Sequence, residues 1–362
     1  MTAVSSAKAV LLVAEREIWS KLRSKAFLIS TAVVVLVCVA AAVISAFSFS
    51  RQTEAVPVAV SDDVAGLVAG LPVLKVTRVP DRDAAEQLVR DGTVAAAVVA
   101  DPGPLGYRLV GDDGVPTAVL MALSRTPEVE LLRPDGGDVG LGLLIGVGFG
   151  MMFLMAASLF GATIAQSVIE EKQTRIVEIL LAAVPDRALM AGKVIGNTVL
   201  ALAQVVLFLG IGLGGLAVTG QLDVVSGLGA PIGWFAGFFL LGFVLLAALF
   251  AAAGAMVSRQ EDVGSTTFPL TMLIVAPYLL VVTLHDNPVA IGLLSYIPFS
   301  APVAMPLRIF LDQAQWWEPL VSLGLLGATC AGAVRVGARI YSNSLLRMGS
   351  RVRLGEALRS GL

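Results

Sequence analysis

Residues 232–257 read IGWFAGFFLLGFVLLAALFAAAGAMV, an unbroken apolar stretch without Asp, Glu, Lys or Arg. A helix of this length crosses the roughly 30 Å hydrocarbon core of a bilayer, and a backbone in lipid must form its hydrogen bonds within its own segment. Further runs of the same kind occur near Ala26–Phe49, Leu141–Ala165, Val194–Val218, Phe268–Leu284 and Leu320–Ala338. The pattern predicts an all-α polytopic membrane protein with six transmembrane helices, the first at 26–50 and the others within 139–342.

The composition excludes a soluble globular fold. Of 362 residues, 57% are hydrophobic and only 14% are charged, whereas an average soluble domain has about a quarter charged residues. Cys38 and Cys330 fall in the middle of predicted spans, where a small apolar thiol packs well. Neither is expected to form a disulfide or to bind a metal.

Basic residues are distributed asymmetrically around the apolar runs, and this asymmetry predicts orientation. They cluster before the first run and after the last, at Lys8, Arg16, Lys21, Arg23, Lys25, Arg339, Arg347, Arg351, Arg353 and Arg359. The positive-inside rule therefore predicts two cytoplasmic termini, with residues 343–362 as a basic tail. The connection after the second run is also basic, while Thr219–Pro231 has no Lys or Arg. We expect the first span to be a retained anchor rather than a cleaved signal peptide.

The N-terminal segment, residues 1–25, is predicted to be an amphipathic helix. Over Ala7–Ser24, one helical face carries Leu11, Ile18 and Leu22, with Leu12 and Trp19 beside it. Such a helix lies along the inner leaflet. The alternative is a plain cytoplasmic extension of the first span.

The long segment after the first span, residues 51–138, is predicted to be an extracellular α/β domain between transmembrane helices 1 and 2. Val56–Val60 and Val94–Val99 are typical of short strands, and Asp81–Arg90 has helical spacing. Tyr107–Val110 and Pro116–Leu123 add a further extended run and a further helix. The segment shows no catalytic constellation.

Residues 291–315 are too apolar for an ordinary loop and are interrupted by Pro298, Pro302 and Pro306. Irregular backbone at membrane depth is tolerated only beside protein or a water-filled cavity. We therefore predict a re-entrant helical hairpin between transmembrane helices 5 and 6, entered from outside, with Arg308 facing water or paired with Asp312. The alternative is an extracellular loop anchored by Trp316 and Trp317.

A charged stripe marks residues 168–184, between the second and third runs. On a helix, Glu171 and Arg175 are four residues apart, and Arg175 and Glu178 three apart, beside an apolar face. Such a helix suits a groove on a soluble partner. The alternative is a solvated helix stabilised by its own ion pairs.

Polar side chains are rare within the predicted spans, and three are candidates for a translocation path. Asn197 and Gln204 are seven residues apart in the third run, and Gln166 lies near the inner end of the second. Polar groups at membrane depth face protein or a cavity. Hydrogen bonding between helices is the alternative.

The order of residues resembles that of the ABC-2 type transporter permeases, in the subgroup that includes bacterial sodium-extrusion and antibiotic-export permeases. The resemblance rests on EEKQTRIVEILL at 170–181, LMAGK at 189–193, IPFSAP at 297–302 followed by Met305–Arg308, and ARIY at 338–341. It covers nearly the whole chain and is weakest in residues 51–138.

The resemblance implies a permease subunit of an exporter in the bacterial inner (plasma) membrane. Its coupling helix at 168–184 would present Glu170, Glu171, Lys172, Arg175 and Glu178 to a separate ABC ATPase, and Pro298, Pro302, Pro306 and Arg308 would form the extracellular gate. ATP and Mg would be bound by that ATPase, since this chain has no G-x-x-x-x-G-K-[ST] sequence. A permease homodimer or heterodimer is expected, without cofactor or nucleic acid.

Two other classes of function are weighed against this one. An ion-coupled secondary transporter normally carries Asp or Glu inside its spans, and none is evident here. A membrane-anchored extracellular sensor would not require the docking helix or the prolines of 291–315. With one His and no carboxylate pair inside a span, the chain offers no candidates for catalysis or for a metal site.

Overall fold

The structure is a computed structural model that describes residues 6–52, 55–68, 71, 73–103, 105–112, 117–123, 139–174, 176–218 and 226–345. It separates into two compact units. One consists of Met1–Ala42 with Arg133–Leu362, and the other of Val43–Leu132.

The elements follow one another in chain order. The helices are α1 Ser6–Leu22, α2 Lys25–Gln52, α3 Ala65–Val68, α4 Arg82–Arg90, α5 Thr117–Leu123, α6 Val139–Gln173, α7 Ile176–Ala183, α8 Asp186–Val218, α9 Gly229–Met256, α10 Val263–Thr283, α11 Pro288–Leu294, α12 Ala301–Phe310 and α13 Glu318–Leu345. The strands are β1 Val56–Ser61, β2 Leu74–Val79, β3 Ala96–Ala100 and β4 Tyr107–Val110.

Within the described residues, five helical segments are long and apolar enough to cross a membrane. They are Leu143–Gln173, Asp186–Val218, Gly229–Met256, Gln260–Thr283 and Glu318–Leu345. A sixth is counted if Ser6–Leu22 and Phe27–Ala40, which are bent by 65° relative to each other, form one broken span. The polytopic helical architecture is confirmed, while the number six stays a prediction.

Phenylalanine side chains join α6 to α9 along their length. Phe149 stacks on Phe235 with ring centroids 4.6 Å apart. Further along, Phe153 meets Phe239 edge-on at 5.9 Å and Phe160 meets Phe243 at 6.1 Å. The partners on α9 are spaced by four residues and so share one face. These aromatic pairs form the centre of the apolar core of the helical unit.

The helices of this unit approach one another closely at glycines. At Gly254 of α9, an added Cβ would lie 2.7 Å from the Ala165 carbonyl oxygen and 2.9 Å from its Cα. At Gly242, it would lie 2.7 Å from Cγ of Pro302. Small residues at such positions let backbones pack against each other where lipid supplies no hydrophobic driving force.

We predict that Gly254→Val destabilises the helical unit by about 1–3 kcal/mol, because the atoms that a side chain would meet belong to the backbone of α6 and cannot move aside. Gly237→Val, in the same helix but with no atom within 4 Å of an added Cβ, is the control. Thermal unfolding of the two detergent-solubilised variants measures the difference. Equal midpoints would contradict the close packing of α6 on α9.

The second unit contains a four-stranded sheet with the order β2-β1-β3-β4. β1 runs parallel to β2 and β3, and β3 pairs antiparallel with β4. Alternate residues of the strands belong to two small cores, one on each face of the sheet. Val58 and Val60 pack with Val119 of α5. Ala59 packs with Ala85 and Val89 of α4. The strand and helix positions predicted for this segment coincide with β1, α4, β3, β4 and α5.

Strand β2 was not predicted. Its residues read LKVTRV and only Leu74 and Val79, at its two ends, are buried. β2 lies at the edge of the sheet and its four middle residues are exposed, so it lacks the apolar run that predicts a buried strand. The extracellular placement of this unit stays a prediction.

Two short helices, α11 and α12, occupy the predicted hairpin segment. Asn287 caps α11 by accepting hydrogen bonds from the amides of Val289 and Ala290, both at 3.1 Å. All residues of α12 from Ala301 to Arg308 are buried, and its Leu307 lies against Gly146 of α6. α12 is thus packed inside the bundle, whereas α11 leaves Val289 and Leu293 exposed; the re-entry of this segment into the membrane stays a prediction.

Candidate functional site

The junction between α6 and α8 carries the charged segment that sequence analysis singled out. α6 continues to Gln173, where the Thr174 hydroxyl donates to the Glu170 carbonyl at 2.7 Å. The short helix α7 then begins at Ile176, and Pro185 directly precedes α8. The segment predicted as one helix over 168–184 is therefore divided between the end of α6 and α7.

A buried ion cluster joins α1, α6 and α8 beside this junction. At its centre, Nζ of the fully buried Lys193 lies 2.9 Å from Glu17 Oε1 and 2.9 Å from Glu171 Oε2. The same ammonium donates to Ser167 Oγ at 2.5 Å. Arg16 pairs with both carboxylates from the solvent side. We call Arg16, Glu17, Ser167, Glu171 and Lys193 the Lys193 cluster.

The charges of this cluster balance. Burial acts to raise the pKa of the Glu17 carboxyl, but the ion pairs with Lys193 and Arg16 outweigh burial and hold that pKa below its ordinary value. The cluster thus sets two basic side chains, Arg16 and Lys193, against two acidic ones, Glu17 and Glu171. Buried charges are tolerated in proteins when they are paired and hydrogen-bonded in this way.

Two glycines of α8 let α1 approach closely enough for Glu17 to reach Lys193. An added Cβ at Gly196 would lie 2.9 Å from the Ala14 carbonyl oxygen, and one at Gly192 would lie 2.5 Å from Val13 Cβ. The two glycines are four residues apart and share one face of α8. The LMAGK run and the glycine after it thus have a structural reason in the contact with α1.

Helix α1 turns two different faces to its surroundings. Ala9, Val13, Ala14 and Glu17 are buried. Most of the predicted apolar face is uncovered, with Leu11 65% and Trp19 51% exposed. An uncovered apolar face on a helix with basic residues suits the membrane interface. The location of α1 on the inner leaflet stays a prediction.

Lys172 ties the ends of three helices together. It is buried, and its ammonium donates to the Ala255 carbonyl at 2.8 Å and to the Ser344 carbonyl at 3.0 Å. Both carbonyls lie in the last turns of their helices, α9 and α13, where backbone acceptors lack a partner within the helix. A cation at such a position also interacts favourably with the helix dipole.

Helix α7 has an exposed face of mixed character. Val177 is fully buried, whereas Ile179 is 73% and Ile176 43% exposed. Glu178 is exposed between them. The described part of the chain leaves most of Ile179 and nearly half of Ile176 uncovered. An exposed apolar pair beside a charge is typical of a surface that contacts a protein partner.

The residues predicted to contact an ATPase are separated by the structure. Glu170 and Glu178 are exposed, Glu171 points into the Lys193 cluster, and Lys172 is buried; Arg175 lies outside the described residues. The charges of Glu171 and Lys172 therefore act within this chain. Contact with an ATPase stays a prediction for the whole set.

The three candidate path residues do not converge on one cavity. Gln166 is exposed and lines a cavity of about 320 Å³ together with Arg16, Lys21 and Glu170. Asn197 and Gln204 are buried in α8. Asn197 Nδ2 donates to the Lys193 carbonyl at 2.8 Å, but Asn197 Oδ1 and Gln204 Oε1 accept no hydrogen bond from the described residues. Both the path and the packing interpretation stay open.

A second polar cluster lies at the opposite ends of the helices, around Arg308. Its guanidinium donates to Ser295 Oγ at 2.8 Å, to the Gln313 carbonyl at 3.0 Å and to Glu318 Oε2 at 2.9 Å. The hydroxyl of Tyr296 donates to Glu318 Oε1 at 2.9 Å. We call Ser295, Tyr296, Arg308, Gln313 and Glu318 the Arg308 cluster. It joins the α11–α12 turn to the start of α13.

The predicted pairing of Arg308 with Asp312 is wrong; its acid is Glu318. Asp312 instead ends α12 with φ 52°, in the left-handed region that Asp tolerates better than most residues. There the Gln313 amide donates to the Arg308 carbonyl at 2.9 Å and the Asp312 amide to the Ile309 carbonyl at 3.2 Å, the bond pattern of a Schellman motif. The helix therefore ends before Asp312 can reach back along the same face.

The prolines of the predicted gate occupy three different settings. Pro298 lies in the turn between α11 and α12, Pro302 lies in the first turn of α12, and Pro306 lies inside it. In the first turn, proline removes an amide that has no helical partner. Pro302 also contacts Gly242 of α9, so the start of α12 is seated directly on the bundle.

Three residues that organise these clusters do not stand out in the sequence as candidates: Glu17, Lys193 and Glu318. Glu17 interrupts the small apolar face of α1, Lys193 directly precedes an apolar run, and Glu318 opens the last helix. These irregularities mark each residue as unusual. They do not reveal the partner, because the partners of Glu17 and Arg308 lie on other helices.

Among the described residues, no group of His, Cys, Asp and Glu side chains could hold a metal ion. The sites of interest are thus the exposed face of α7 and the two polar clusters.

Comparison with known proteins relates this chain to one family and to two similar proteins. Residues 140–338 match the family described as ABC-2 family transporter protein. The uncharacterized protein YhaP of Bacillus subtilis is 31% identical over 224 residues, which cover 58% of this chain and 54% of that protein. The uncharacterized protein MJ1024 of Methanocaldococcus jannaschii is 28% identical over 193 residues, covering 51% and 46%.

The chain spans about half the length of these curated relatives. No solved structure matches it significantly. The family match covers α6 to α13, and so includes α7, Lys193 and the Arg308 cluster.

Proposed function

Because this chain belongs to the ABC-2 family of transporter proteins, we propose that it is the membrane-spanning permease subunit of an ATP-driven exporter. A separate ABC ATPase would bind ATP and Mg and supply the work. The permease would function as a homodimer or heterodimer in the bacterial inner membrane, with both termini in the cytoplasm, and it requires no nucleic acid.

The observation that carries the proposal is the exposed face of α7. This helix connects two spans, and its isoleucines Ile176 and Ile179 and its Glu178 are open to a partner. A short amphipathic helix that fills a groove in a soluble subunit is a recurrent mode of recognition. We assign the contact with the ATPase to α7 and to Glu170 on the neighbouring end of α6.

The Lys193 cluster gives a route by which movement of α7 reaches the bundle. Pro185 leads from α7 straight into α8, and the cluster bonds α8 to both α6 and α1. A push on α7 would therefore displace these three helices as a group rather than bend one of them. Rigid-body shifts of packed helices are a common form of switching.

We assign the extracellular gate to α11 and α12. The Arg308 cluster holds these helices to the start of α13. A shift of α13 relative to α9 would therefore displace α11 and α12 through these hydrogen bonds. The amide oxygens of Asn197 and Gln204, which accept no hydrogen bond from the described residues, are the candidates for contact with the transported molecule. An ion-coupled mechanism is less well supported, because Glu17 and Glu171 are each paired with cations.

We predict that Ile179→Asp weakens binding of the ATPase by about tenfold or more, since a central apolar anchor is commonly worth at least 1–2 kcal/mol. The control is Leu105→Asp in the other unit, because Leu105 has the same exposure, 73%. Co-purification of each variant with candidate ABC ATPases encoded beside its gene measures the effect. Equal recovery of the ATPase by both variants would remove α7 from the interface.

A further inference from the structure

A groove of about 850 Å³ opens between α8, α9 and α13. Its walls are mainly apolar and include Val194, Val244, Ala248 and Val334. Beside the groove, α13 packs closely on α9 at Gly337, where an added Cβ would lie 3.0 Å from the Ala248 carbonyl oxygen. Its volume is within the range of about 300–1,000 Å³ that is usual for pockets that hold small molecules.

Three arginines converge on this apolar groove: Arg187 from the first turn of α8, and Arg335 and Arg339 from α13. Arg335 and Arg339 are four residues apart and lie on one face of the helix. All three are exposed. Within the part of the chain that the structure describes, none of the three guanidinium groups forms an ion pair, whereas Arg16 and Arg308 each pair with a carboxylate.

The depth of Arg335 makes its lack of an ion-pair partner among the described residues significant. It lies ten residues before the end of α13 at Leu345, which corresponds to about 15 Å along the helix axis. α13 is one of the segments long and apolar enough to cross the membrane. An unpaired guanidinium inside a span is costly and normally finds an anion, a carbonyl or water.

We propose that this groove binds an anionic phospholipid from the leaflet that surrounds the C-terminal end of α13. The phosphate of the headgroup accepts hydrogen bonds from Arg335 and Arg339, with Arg187 completing the site from α8. An acyl chain lies along Val194, Val244 and Val334. Arginine suits this role because its planar group binds phosphate through two donors at once.

The shape and the charge of the groove favour a lipid over other occupants. A soluble anion would use the arginines but not the apolar walls. A second copy of this chain, related by a two-fold axis through the groove, would bring the same three cations face to face. Basic pockets between transmembrane helices on the cytoplasmic side are known settings for anionic headgroups.

The lipid would bridge α8 and α13 near the Lys193 cluster. α8 begins directly after α7, so the bound lipid would stabilise the helix that receives motion from α7. The lipid site itself does not depend on the proposed ATPase, and it can be tested on the isolated chain.

The test is native mass spectrometry of the detergent-solubilised protein titrated with dioleoyl phosphatidylglycerol or with dioleoyl phosphatidylcholine. The wild-type chain should retain phosphatidylglycerol about tenfold better than phosphatidylcholine, as expected for contacts with more than one basic residue. Arg335→Gln combined with Arg339→Gln should abolish this preference. Arg259→Gln, which removes an exposed arginine outside the groove, should keep it.

A variant with Arg335→Lys and Arg339→Lys changes both side chains but keeps both positive charges. It should therefore keep most of the preference for phosphatidylglycerol, which shows that a loss in the Gln variant comes from the lost charge and not from misfolding. An equal response to both lipids by the wild-type chain, or an unchanged preference in the Gln double variant, would overturn the proposal. So would full displacement of the lipid by inorganic phosphate, which indicates a site for soluble anions. Loss of lipid on formation of a dimer would instead show that a second copy fills the groove.

Discussion

Replacing Lys193 with methionine is expected to lower the free energy of unfolding by about 3 kcal/mol, because it leaves two largely buried carboxylates without their shared cation. Glu17 and Glu171 have side chains only 7% and 13% exposed, and each lies 2.9 Å from the Lys193 ammonium. Arg16 remains as a partner, but it is 43% exposed and approaches from one side. Unfolding of the detergent-solubilised protein by sodium dodecyl sulfate titration measures the loss.

A double-mutant cycle distinguishes this mechanism from general damage. Adding Glu17→Gln to Lys193→Met should recover part of the stability, since one unpaired charge is then removed; coupling between contacting residues commonly amounts to 0.5–3 kcal/mol. Lys25→Met is the matched control, because Lys25 is exposed. If Lys193→Met and Lys25→Met are equally stable, the cluster does not hold α1 to α8.

The second large effect is expected at Arg308. Arg308→Met should cost about 2–4 kcal/mol, since it removes three hydrogen bonds, one of them to the Glu318 carboxylate. The Ser295 hydroxyl and the Gln313 carbonyl lose the same donor. Arg308→Lys should lie between wild type and Arg308→Met, because a single ammonium on a shorter reach does not reproduce the planar fork of the guanidinium. The same unfolding titration measures the series.

Asp312 supplies the control for this series. It is the acid that helical spacing alone assigns to Arg308, yet it ends α12 in the left-handed region and forms no ion pair with the arginine. Asp312→Asn should therefore leave stability nearly unchanged, since Asn tolerates the same backbone conformation. A loss for Asp312→Asn as large as for Arg308→Met would show that Asp312, rather than Glu318, is the functional partner.

The two clusters lie at opposite ends of the helical unit. The Lys193 cluster bonds α1, α6 and α8, and the Arg308 cluster bonds the α11–α12 turn to the start of α13. Between them, α9 packs against α6 through aromatic rings and close contacts at glycine. A predominantly apolar core with a polar bond network at each end suits packed helices that shift as rigid bodies relative to one another.

Much of the secondary structure followed from the sequence. The apolar run at 232–257 corresponds to α9, Gly229–Met256, since a segment of that length in lipid has no alternative to a helix that satisfies its own backbone. Short apolar runs likewise predict the strands of the second unit, except β2. That edge strand buries only its two ends and therefore carries little hydrophobic signal.

The site followed from the sequence only in part. The sequence marks 168–184 as a charged segment between two apolar runs, but it shows neither the break between α6 and α7 nor the inward direction of Glu171 and Lys172. Helical spacing assigned Glu171 to Arg175, four residues away. In the folded chain, Glu171 instead bonds Lys193 on α8 and Arg16 on α1.

The sequence by itself determined that this protein is a polytopic helical membrane protein with a folded insertion, because hydrophobicity and backbone hydrogen bonding act over single segments. Only the tertiary structure decided which charges pair. Lys193 meets Glu17 across 176 positions of the chain, and Arg308 meets Glu318 rather than Asp312. The physical reason is that an ion pair depends on distance in space and on exclusion of water, and both are set by how the helices pack, which spacing along one helix does not specify.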